Sequence, residues 1–196
     1  MKCISSNKSC FSFTGQWMKQ HGQLLSLSEK QIVDCSSRFG NMGCQGGRFQ
    51  SSWQYIASAG GIESESAYPY QPSKGWCQFN RGQVVANCRG SQSVSGGSES
   101  ALTNGLASIG PVSVAIDASP SSFRRYRSGV HYSYSCSSSR MNHAVLAVGY
   151  GSEGGQDYFL VKNSWGYSWG NGGYIKMARN RGNNCGIASD TAVPVL

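Results

Sequence analysis

The feature that most constrains the fold is a change of pattern near Ser91, where helical spacing gives way to strand spacing. Before that point, residues 13–35 place apolar side chains at helical positions, and Ser28 followed by Glu29 is a plausible N-cap. Residues 50–59 form a second helical stretch. After it, four apolar segments are bounded by Gly, Ser and Asp turns and are predicted strands: residues 111–117, 143–149, 158–162 and 173–177. The sequence therefore predicts an α+β fold, with a mainly antiparallel sheet in its second half.

Composition narrows the class of protein further. The chain has 196 residues, 26 of them glycine, and 13% are charged, which favours a loop-rich globular protein with a substantial core. Its net charge of +8 comes from scattered Lys and Arg, and Arg124-Arg125 is the only adjacent pair. Because no basic run alternates with aromatic residues, we expect no nucleic-acid partner. No segment is long and apolar enough to predict a membrane span.

Eight cysteines are dispersed along the chain: Cys3, Cys10, Cys35, Cys44, Cys77, Cys88, Cys136 and Cys185. No CxxC pair occurs and only three histidines are present, so we expect neither a structural zinc site nor another metal site. Wide spacing is instead typical of disulfides formed in an oxidising compartment. Residues 1–10 contain no apolar signal region, and we therefore expect that the chain lacks its true start.

Three residues have the chemical types that a nucleophilic cysteine site needs. Cys10 precedes a predicted helix, and helix N-terminal amides stabilise a thiolate. His143 opens an apolar strand and can serve as the base, while Asn163 ends another strand and can orient the imidazole. Trp165 is close enough in sequence to shield that hydrogen bond. Each residue alone also has a structural interpretation: Cys10 as a disulfide half or unreactive thiol, His143 as a strand residue, and Asn163 as a turn residue.

Several ordered motifs resemble those of one known family. They are Ser26-Leu27-Ser28-Glu29, Val33-Asp34-Cys35, Gly43-Cys44-Gln45-Gly46-Gly47, Asn142-His143-Ala144, Lys162-Asn163-Ser164-Trp165-Gly166 and Asn184-Cys185-Gly186-Ile187-Ala188. On these motifs, from about Gly15 to the C-terminus, the chain resembles the papain family of cysteine proteases and is similar to cathepsin L. The resemblance implies a single papain-like peptidase domain over residues 1–196. Its helical left lobe would cover about 1–90 and its β-barrel-like right lobe about 91–196, with the active site between them.

The resemblance implies a cysteine-type endopeptidase that needs no cofactor. The thiolate of Cys10 would attack the peptide bond, His143 would protonate the leaving amine and then activate water, and Asn163 would orient the imidazole. The implied partners are polypeptide substrates, with cystatin-like protein inhibitors as further candidates. A monomer without nucleic-acid or membrane partners is expected. The full-length gene product would be lysosomal or extracellular, although this chain carries no targeting segment.

The resemblance also assigns residues to substrate binding. The glycines of the groove loop, Gly46 and Gly47, would offer backbone groups to an extended peptide. The second subsite would have Asp190 at its base, where cathepsin L has a small apolar residue, and its walls would be Phe49, Ala115, Met141 and Asn142. Because a carboxylate can pair with a basic side chain, we expect this subsite to accept both apolar and basic residues. In the other interpretation, Asp190 turns out to solvent.

The resemblance implies two disulfides, Cys35–Cys77 and Cys136–Cys185. Cys44 would ordinarily pair with a cysteine three positions before the nucleophile, but Asn7 occupies that position. Cys3 is therefore a candidate partner for Cys44, which otherwise stays free. Cys88 has no implied partner.

Three departures from the family pattern lie before Ser26. Ile4 stands where the family has a glutamine that donates to the oxyanion hole, and losing one such donor costs roughly 10²–10³ in turnover. Between Cys10 and Ser26 the chain is about six residues shorter than the family, which is more than one helical turn. We therefore expect either that Cys10 does not point at His143 or that the helix begins later and leaves Cys10 in a loop. The residues before Cys10 are also too few for the family's N-terminal strand and propeptide.

These departures keep a second class of function open. A catalytically impaired pseudoprotease with the papain fold would act as a binding protein. The atypical surroundings of Cys10 favour that function, whereas the intact motifs around His143 and Asn163 favour the peptidase.

Overall fold

The structure is a computed structural model that describes residues 4–94 and 96–196, and it gives the side chains of the first helix for Cys10 and from Ser12 onward. The chain divides into two units. The first comprises Met1–Gln92 with Val193–Leu196, and the second comprises Ser93–Ala192. The boundary lies close to the change of pattern in the sequence.

The helices of the first unit are α1 (Ile4–His21), α2 (Glu29–Cys35) and α3 (Phe49–Ala59). Strand β1 (Ile62–Glu63) pairs antiparallel with β2 (Val84–Ala86). The core of this unit contains large apolar side chains that are almost fully buried, namely Phe13, Ile32, Trp53, Ile56 and Ile62. The burial of such apolar side chains is the main favourable contribution to folding.

The prediction of one helical stretch over residues 13–35 is wrong in its middle. Helix α1 ends at His21, where Gly22 has a left-handed φ of 70° and donates its N–H to the carbonyl of Met18 at 2.9 Å. Glycine adopts this conformation without steric cost and so stops the helix. The predicted cap at Ser28 is confirmed, because its hydroxyl accepts the N–H of Gln31 at the start of α2. The second predicted helix is also confirmed as α3, which ends at a left-handed Gly60.

The described part of the second unit contains two α-helices and most of a seven-stranded sheet. The helices are α4 (Glu99–Ser108) and α5 (Ser121–Arg124). The strands are β3 (Gly90–Ser93), β4 (Val112–Ile116), β5 (Val130–His131), β6 (His143–Glu153), β7 (Gln156–Lys162), β8 (Tyr174–Ala178) and β9 (Asp190–Val195). The order across the sheet is β3-β9-β4-β6-β7-β8-β5. All four predicted strands are therefore confirmed as β4, β6, β7 and β8, and the α+β class is confirmed with them.

The sheet of the lobe that the resemblance implied to be barrel-like does not close into a barrel among the described strands. The described strands form an open sheet whose terminal strands, β3 and β5, do not pair with each other. The terminal strand β5 has only two residues and pairs parallel with β8. The pairs β4–β6, β6–β7 and β7–β8 are antiparallel. A two-residue strand offers too few backbone groups to close a sheet into a barrel.

The hairpin of β6 and β7 is the element that positions the candidate site. Its turn uses Gly154 and Gly155, both at positive φ as this type of tight turn requires. The pairing places Leu146 opposite Lys162, so the beginning of β6 lies beside the end of β7. Among the described helices, none is both long and apolar enough to cross a membrane.

Candidate functional site

His143 and Asn163 are brought together by the β6–β7 hairpin. His143 is the first residue of β6, and Asn163 directly follows β7. The Nε2 atom of His143 lies 2.8 Å from Oδ1 of Asn163. Since a side-chain amide oxygen only accepts, Nε2 must carry the proton, and in the neutral ring the lone pair lies on Nδ1. The same Oδ1 accepts the N–H of Ser164 at 2.7 Å, which holds the amide in this orientation.

Aromatic rings surround this hydrogen bond. The ring of Trp165 lies 5.0 Å from the His143 ring, centroid to centroid. Phe123 is fully buried and meets both rings edge-on, at 6.2 Å from His143 and 5.5 Å from Trp165. Asn163 is only 4% exposed, and its Nδ2 has no hydrogen-bond partner among the described residues. Exclusion of water strengthens the bond between the imidazole and the amide oxygen.

A second histidine packs against the same phenylalanine. His131 lies in β5, is buried, and has its ring 5.9 Å from that of Phe123. Its Nε2 is 3.1 Å from the hydroxyl of Ser122, while Nδ1 has no partner among the described residues. Burial lowers the pKa of His131 from its ordinary 6.5 and so favours the neutral ring. Sequence reasoning missed His131 because a two-residue strand has no apolar periodicity and no motif marks it.

Cys10 is the seventh residue of α1, so it is neither at a helix start nor in a loop as the sequence suggested. The side chain is 4% exposed. Burial raises the pKa of the Cys10 thiol well above its ordinary value, and the negative charges of Glu29 and Glu65 raise it further. The thiol, not the thiolate, is therefore the favoured form in these surroundings. The side chain of Ile4 lies outside the described side chains, so the expectation about the oxyanion hole stays a prediction.

The groove loop of the first unit requires glycine at Gly47. A Cβ added there would clash with Oδ1 of Asn41, which accepts the N–H of Arg48 at 2.9 Å. Gly46 has a φ of 129° and its carbonyl accepts the N–H of Met42. Both glycines are half-buried.

The structure also places Phe49 and Cys44 of the first unit. Phe49 begins α3 and packs in the core, 3% exposed, with its ring 5.7 Å from that of Trp53. Cys44 is disulfide-bonded. Its candidate partner, Cys3, lies outside the described residues.

In the second unit, Ala115 and Asp190 lie side by side. They are directly opposed on the antiparallel strands β4 and β9, so their side chains share one face of the sheet. Both are half-buried. Met141 is half-buried too, and its sulfur would lie 3.1 Å from a Cβ added at Gly186.

Asn142 fixes the segment that leads into β6. Its Oδ1 accepts the N–H of Ala118 and its Nδ2 donates to Oδ1 of Asp117, both at 2.9 Å. Asp117 also accepts from Ser119 and from the N–H of Ser137. Burial opposes the ionisation of Asp117, but these hydrogen bonds outweigh it and lower the pKa to about 2. Sequence reasoning missed Asp117, although an aspartate directly after an apolar strand is a signal for such an anchor.

Disulfides join Cys35 to Cys77 and Cys136 to Cys185, the two pairs that the resemblance implied. Cys10 and Cys88 are the free cysteines among the described residues, and both are buried. In the described part of the chain, no cluster of His, Cys, Asp and Glu could hold a metal ion.

Comparison with known proteins gives consistent results. The profile of papain family cysteine proteases matches residues 5–195. Digestive cysteine proteinase 2 of Homarus americanus is 53% identical over 190 residues, which cover 95% of this chain and 59% of the relative. A cathepsin L-like peptidase of Aedes aegypti is 49% identical over 96% of this chain and 58% of its own length. The chain therefore spans about three-fifths of the length of these curated relatives.

The fold has solved counterparts. The structure of digestive procathepsin L 3 from the larval midgut of Tenebrio molitor superposes with a TM-score of 0.89 at 42% identity. The superposition covers 100% of this chain and 66% of that protein. A second structure, digestive procathepsin L2 from the same tissue, gives the same TM-score and covers 64% of that protein. The α+β fold described here is thus the fold of these proteins.

Proposed function

Because the chain belongs to the papain family of cysteine proteases, we propose that it is a cysteine-type endopeptidase that hydrolyses polypeptides. The observation that carries this proposal is the hydrogen bond of 2.8 Å between His143 and Asn163, covered by Trp165. A histidine held in one orientation, with the lone pair on Nδ1, is equipped to exchange protons with a nucleophile and a leaving group. The relatives are themselves named as proteinases and peptidases.

In the proposed reaction, Cys10 is the nucleophile. Its thiol gives the proton to Nδ1 of His143, and the sulfur attacks the carbonyl carbon of the peptide bond. The imidazolium then protonates the departing amine, which leaves an acyl-enzyme. Water gives a proton to His143 and attacks the acyl carbon, and the thiol is restored when the acyl group leaves. Throughout, Nε2–H of His143 stays bonded to Asn163, which remains neutral and fixes the ring.

Covalent labelling tests the nucleophile. We expect a biotin-tagged epoxysuccinyl peptide to label the wild-type protein and the Cys88→Ser variant, but not the Cys10→Ser variant. Cys88 is the matched control because it is the other free and buried thiol of the described chain. Absence of labelling in wild-type protein that is folded by circular dichroism contradicts the peptidase.

One observation favours the second function, a pseudoprotease that acts as a binding protein. Cys10 is buried and its thiol pKa is raised, whereas a catalytic cysteine needs to reach the thiolate. This function predicts that the folded protein retains an immobilised cystatin-like inhibitor or peptide without being labelled. Labelling at Cys10 contradicts it.

The second subsite follows from the same proposal. We infer that Asp190, beside Ala115 on the sheet, admits basic as well as apolar side chains. The ratio of kcat/KM for an Arg-Arg substrate to that for a Phe-Arg substrate should fall by about tenfold in Asp190→Ala, the scale of one charged hydrogen bond lost. Asp190→Asn removes the negative charge but keeps the size of the side chain, so it separates the two effects. If the ratio of the two kcat/KM values is unchanged in both variants, the assignment is contradicted.

The setting of the full-length product belongs to the proposal too. A lysosomal or extracellular location is supported by the two disulfides, which persist in oxidising compartments. Polypeptide substrates and protein inhibitors are the proposed partners, and a monomer is the proposed state.

A further inference from the structure

Trp76 is a tryptophan held out in solvent by a loop of the first unit. The residue is 91% exposed. The loop is anchored to α2, because the next residue, Cys77, is disulfide-bonded to Cys35 at the end of that helix. A large apolar side chain that is exposed on an anchored loop marks a candidate contact surface.

A buried ion pair holds the other side of this loop. Nζ of Lys30 lies 2.7 Å from Oδ1 of Asp34, and both side chains are almost fully buried. Lys30 also donates to the carbonyl of Ser73, and Asp34 accepts the N–H of Gly75, each at 2.7 Å. The hydroxyl of Tyr68 donates to Oδ2 of Asp34 at 2.8 Å. The loop is therefore anchored on both sides of Lys74, and the surface it presents is preorganised.

A cleft of about 880 Å³ lies between this loop and the turn that follows α2. Its apolar lining consists of Trp76, the Cys35–Cys77 disulfide, Phe39 and Tyr55. The rings of Phe39 and Tyr55 meet edge-on at 5.8 Å. This volume and lining suit one or two apolar side chains of a ligand.

The exposed charges at the cleft are all positive. Arg38 and Lys74 line it and are exposed, and Nζ of Lys74 is held 2.8 Å from the hydroxyl of Ser37. The one carboxylate in the lining, Asp34, is buried and neutralised by Lys30. A ligand in the cleft would therefore contact the apolar lining and the two exposed cations, Arg38 and Lys74.

A neighbouring cleft extends this surface towards the groove loop. Its volume is about 640 Å³, and it shares Ser37 and Lys74 with the first cleft. Its lining reaches Cys44 and Gln45, which directly precede Gly46. The two clefts are adjacent through these shared residues, and together they are called the Trp76 cleft.

We propose that the Trp76 cleft binds an acidic polypeptide segment that carries an apolar side chain. The apolar side chain contacts Phe39, Tyr55 and Trp76, and carboxylates pair with Lys74 and Arg38. A guanidinium binds a carboxylate through two hydrogen bonds, and an ammonium binds it as a point charge. This site lies outside the residues proposed for catalysis and does not depend on the peptidase reaction.

Two other occupants fit the cleft less well. A sulfated polysaccharide binds along extended basic tracks, whereas this cleft has two exposed cations and an aromatic floor. A second copy of the chain is disfavoured because each copy carries a net charge of +8, and like charges repel.

Fluorescence anisotropy with three labelled peptides tests the proposal. The probes are Glu-Glu-Leu-Phe-Glu-Glu, its lysine counterpart Lys-Lys-Leu-Phe-Lys-Lys, and Glu-Glu-Ala-Ala-Glu-Glu, each shown by mass spectrometry to stay intact. We expect the wild-type protein to bind the first probe at least tenfold more tightly than the other two, and to lose affinity in 0.5 M salt, because charge pairs at an interface set such preferences and are screened.

Variants locate the site. Lys74→Glu and Trp76→Ala should each weaken binding of the acidic apolar probe by about tenfold, whereas Arg89→Glu should change it less than about twofold. Arg89 is the matched control because it is an exposed cation of the same unit that does not line the cleft. The affinity of Lys74→Glu for the lysine probe should rise. All three changes are at exposed side chains, and circular dichroism verifies that each variant is folded.

Several outcomes overturn the proposal. They are equal binding of the acidic and basic probes, an equal effect of Arg89→Glu, tighter binding of a heparin oligosaccharide than of the acidic probe, and concentration-dependent dimers that Trp76→Ala abolishes. Failure of this site is distinguishable from failure of the peptidase. Binding of the acidic probe without labelling of Cys10 supports the docking site alone, and labelling without binding supports the peptidase alone.

Discussion

At the scale of single residues, the second unit places two histidines against one buried phenylalanine. Phe123 lies edge-on to both His131 and His143. Only His143 has an amide partner, Asn163, whereas His131 has a buried nitrogen without a partner among the described residues. Protonation would put a second N–H on His131, and its Nδ1 has no acceptor among the described residues, so a positive charge on this buried ring is unfavourable.

This difference predicts how stability depends on pH. Burial lowers the pKa of folded His131 below its ordinary 6.5, so the unfolded chain binds more protons than the folded chain as pH falls below about 6.5. The contribution of neutral His131 to the free energy of unfolding is therefore complete above that pH and is lost progressively below it. In His131→Phe this part of the loss should disappear, as measured by urea unfolding between pH 5 and pH 7.5.

An exposed histidine provides the control. His21 ends α1 in the first unit, and the same measurement on His21→Gln distinguishes the effect of removing a histidine in general from the effect of removing His131. If His131→Phe and the wild-type protein lose stability equally on acidification, the assignment of the pH dependence to His131 is wrong.

At the scale of elements, helix caps with the same chemistry differ in burial. Ser28 caps α2 and is fully buried, and its hydroxyl also donates to the carbonyl of Tyr68 at 2.7 Å. Ser98 caps α4, is exposed, and accepts from Ala101 at 3.2 Å. A buried carbonyl that loses its donor cannot replace it with water, whereas exposed groups can.

The two serines therefore make a matched pair of substitutions. Ser28→Ala should lower the free energy of unfolding by about 2–3 kcal/mol, because it removes the cap and leaves the Tyr68 carbonyl without its donor. Ser98→Ala should lower it by about 0.5–1 kcal/mol. Urea unfolding measures both. Equal losses would mean that burial does not set the strength of these caps.

Elements with a strong local signal could be predicted from the sequence. The signal for the N-cap is the hydroxyl of Ser28 itself. The signal for each of the strands β4, β6, β7 and β8 is a short apolar run bounded by turn residues such as glycine. The end of α1 at Gly22 was missed because apolar residues continue on both sides of it. Strand β5 was missed because its two residues owe their conformation to pairing with β8, a tertiary contact.

The candidate site shows the same division. His143 and Asn163 were predictable because each lies in a motif at a strand end. The helical setting and the burial of Cys10 were not, since burial depends on how α1 packs and not on the residues next to the cysteine. Asp117 and Trp76 were missed for a related reason: the roles described for them come from several distant chain segments.

At the scale of the whole molecule, each unit contains a disulfide that closes a long loop within it. Cys35–Cys77 joins residues 42 apart in the first unit, and Cys136–Cys185 joins residues 49 apart in the second. In the chain-entropy description, each lowers the entropy of the unfolded chain by an amount worth up to about 4 kcal/mol.

Removing one disulfide should therefore loosen the unit that contains it. In Cys136→Ala/Cys185→Ala, we expect faster amide hydrogen exchange in β4, β6 and β7, and little change in α2 and α3. In Cys35→Ala/Cys77→Ala the pattern should reverse. Mass spectrometry of peptic fragments measures both. Uniformly faster exchange in both variants would show that the units do not open separately.

The open sheet of the described strands bears on how the protein aggregates in concentrated solution. A sheet that does not close leaves two borders where a foreign strand could add its own backbone, and such addition is the first step towards fibres. Here both border strands are short, four residues in β3 and two in β5. An added strand could form only a few backbone hydrogen bonds with them, too few to offset the conformational entropy that it would lose. We therefore expect that concentrated solutions of the folded protein do not form fibrils on storage.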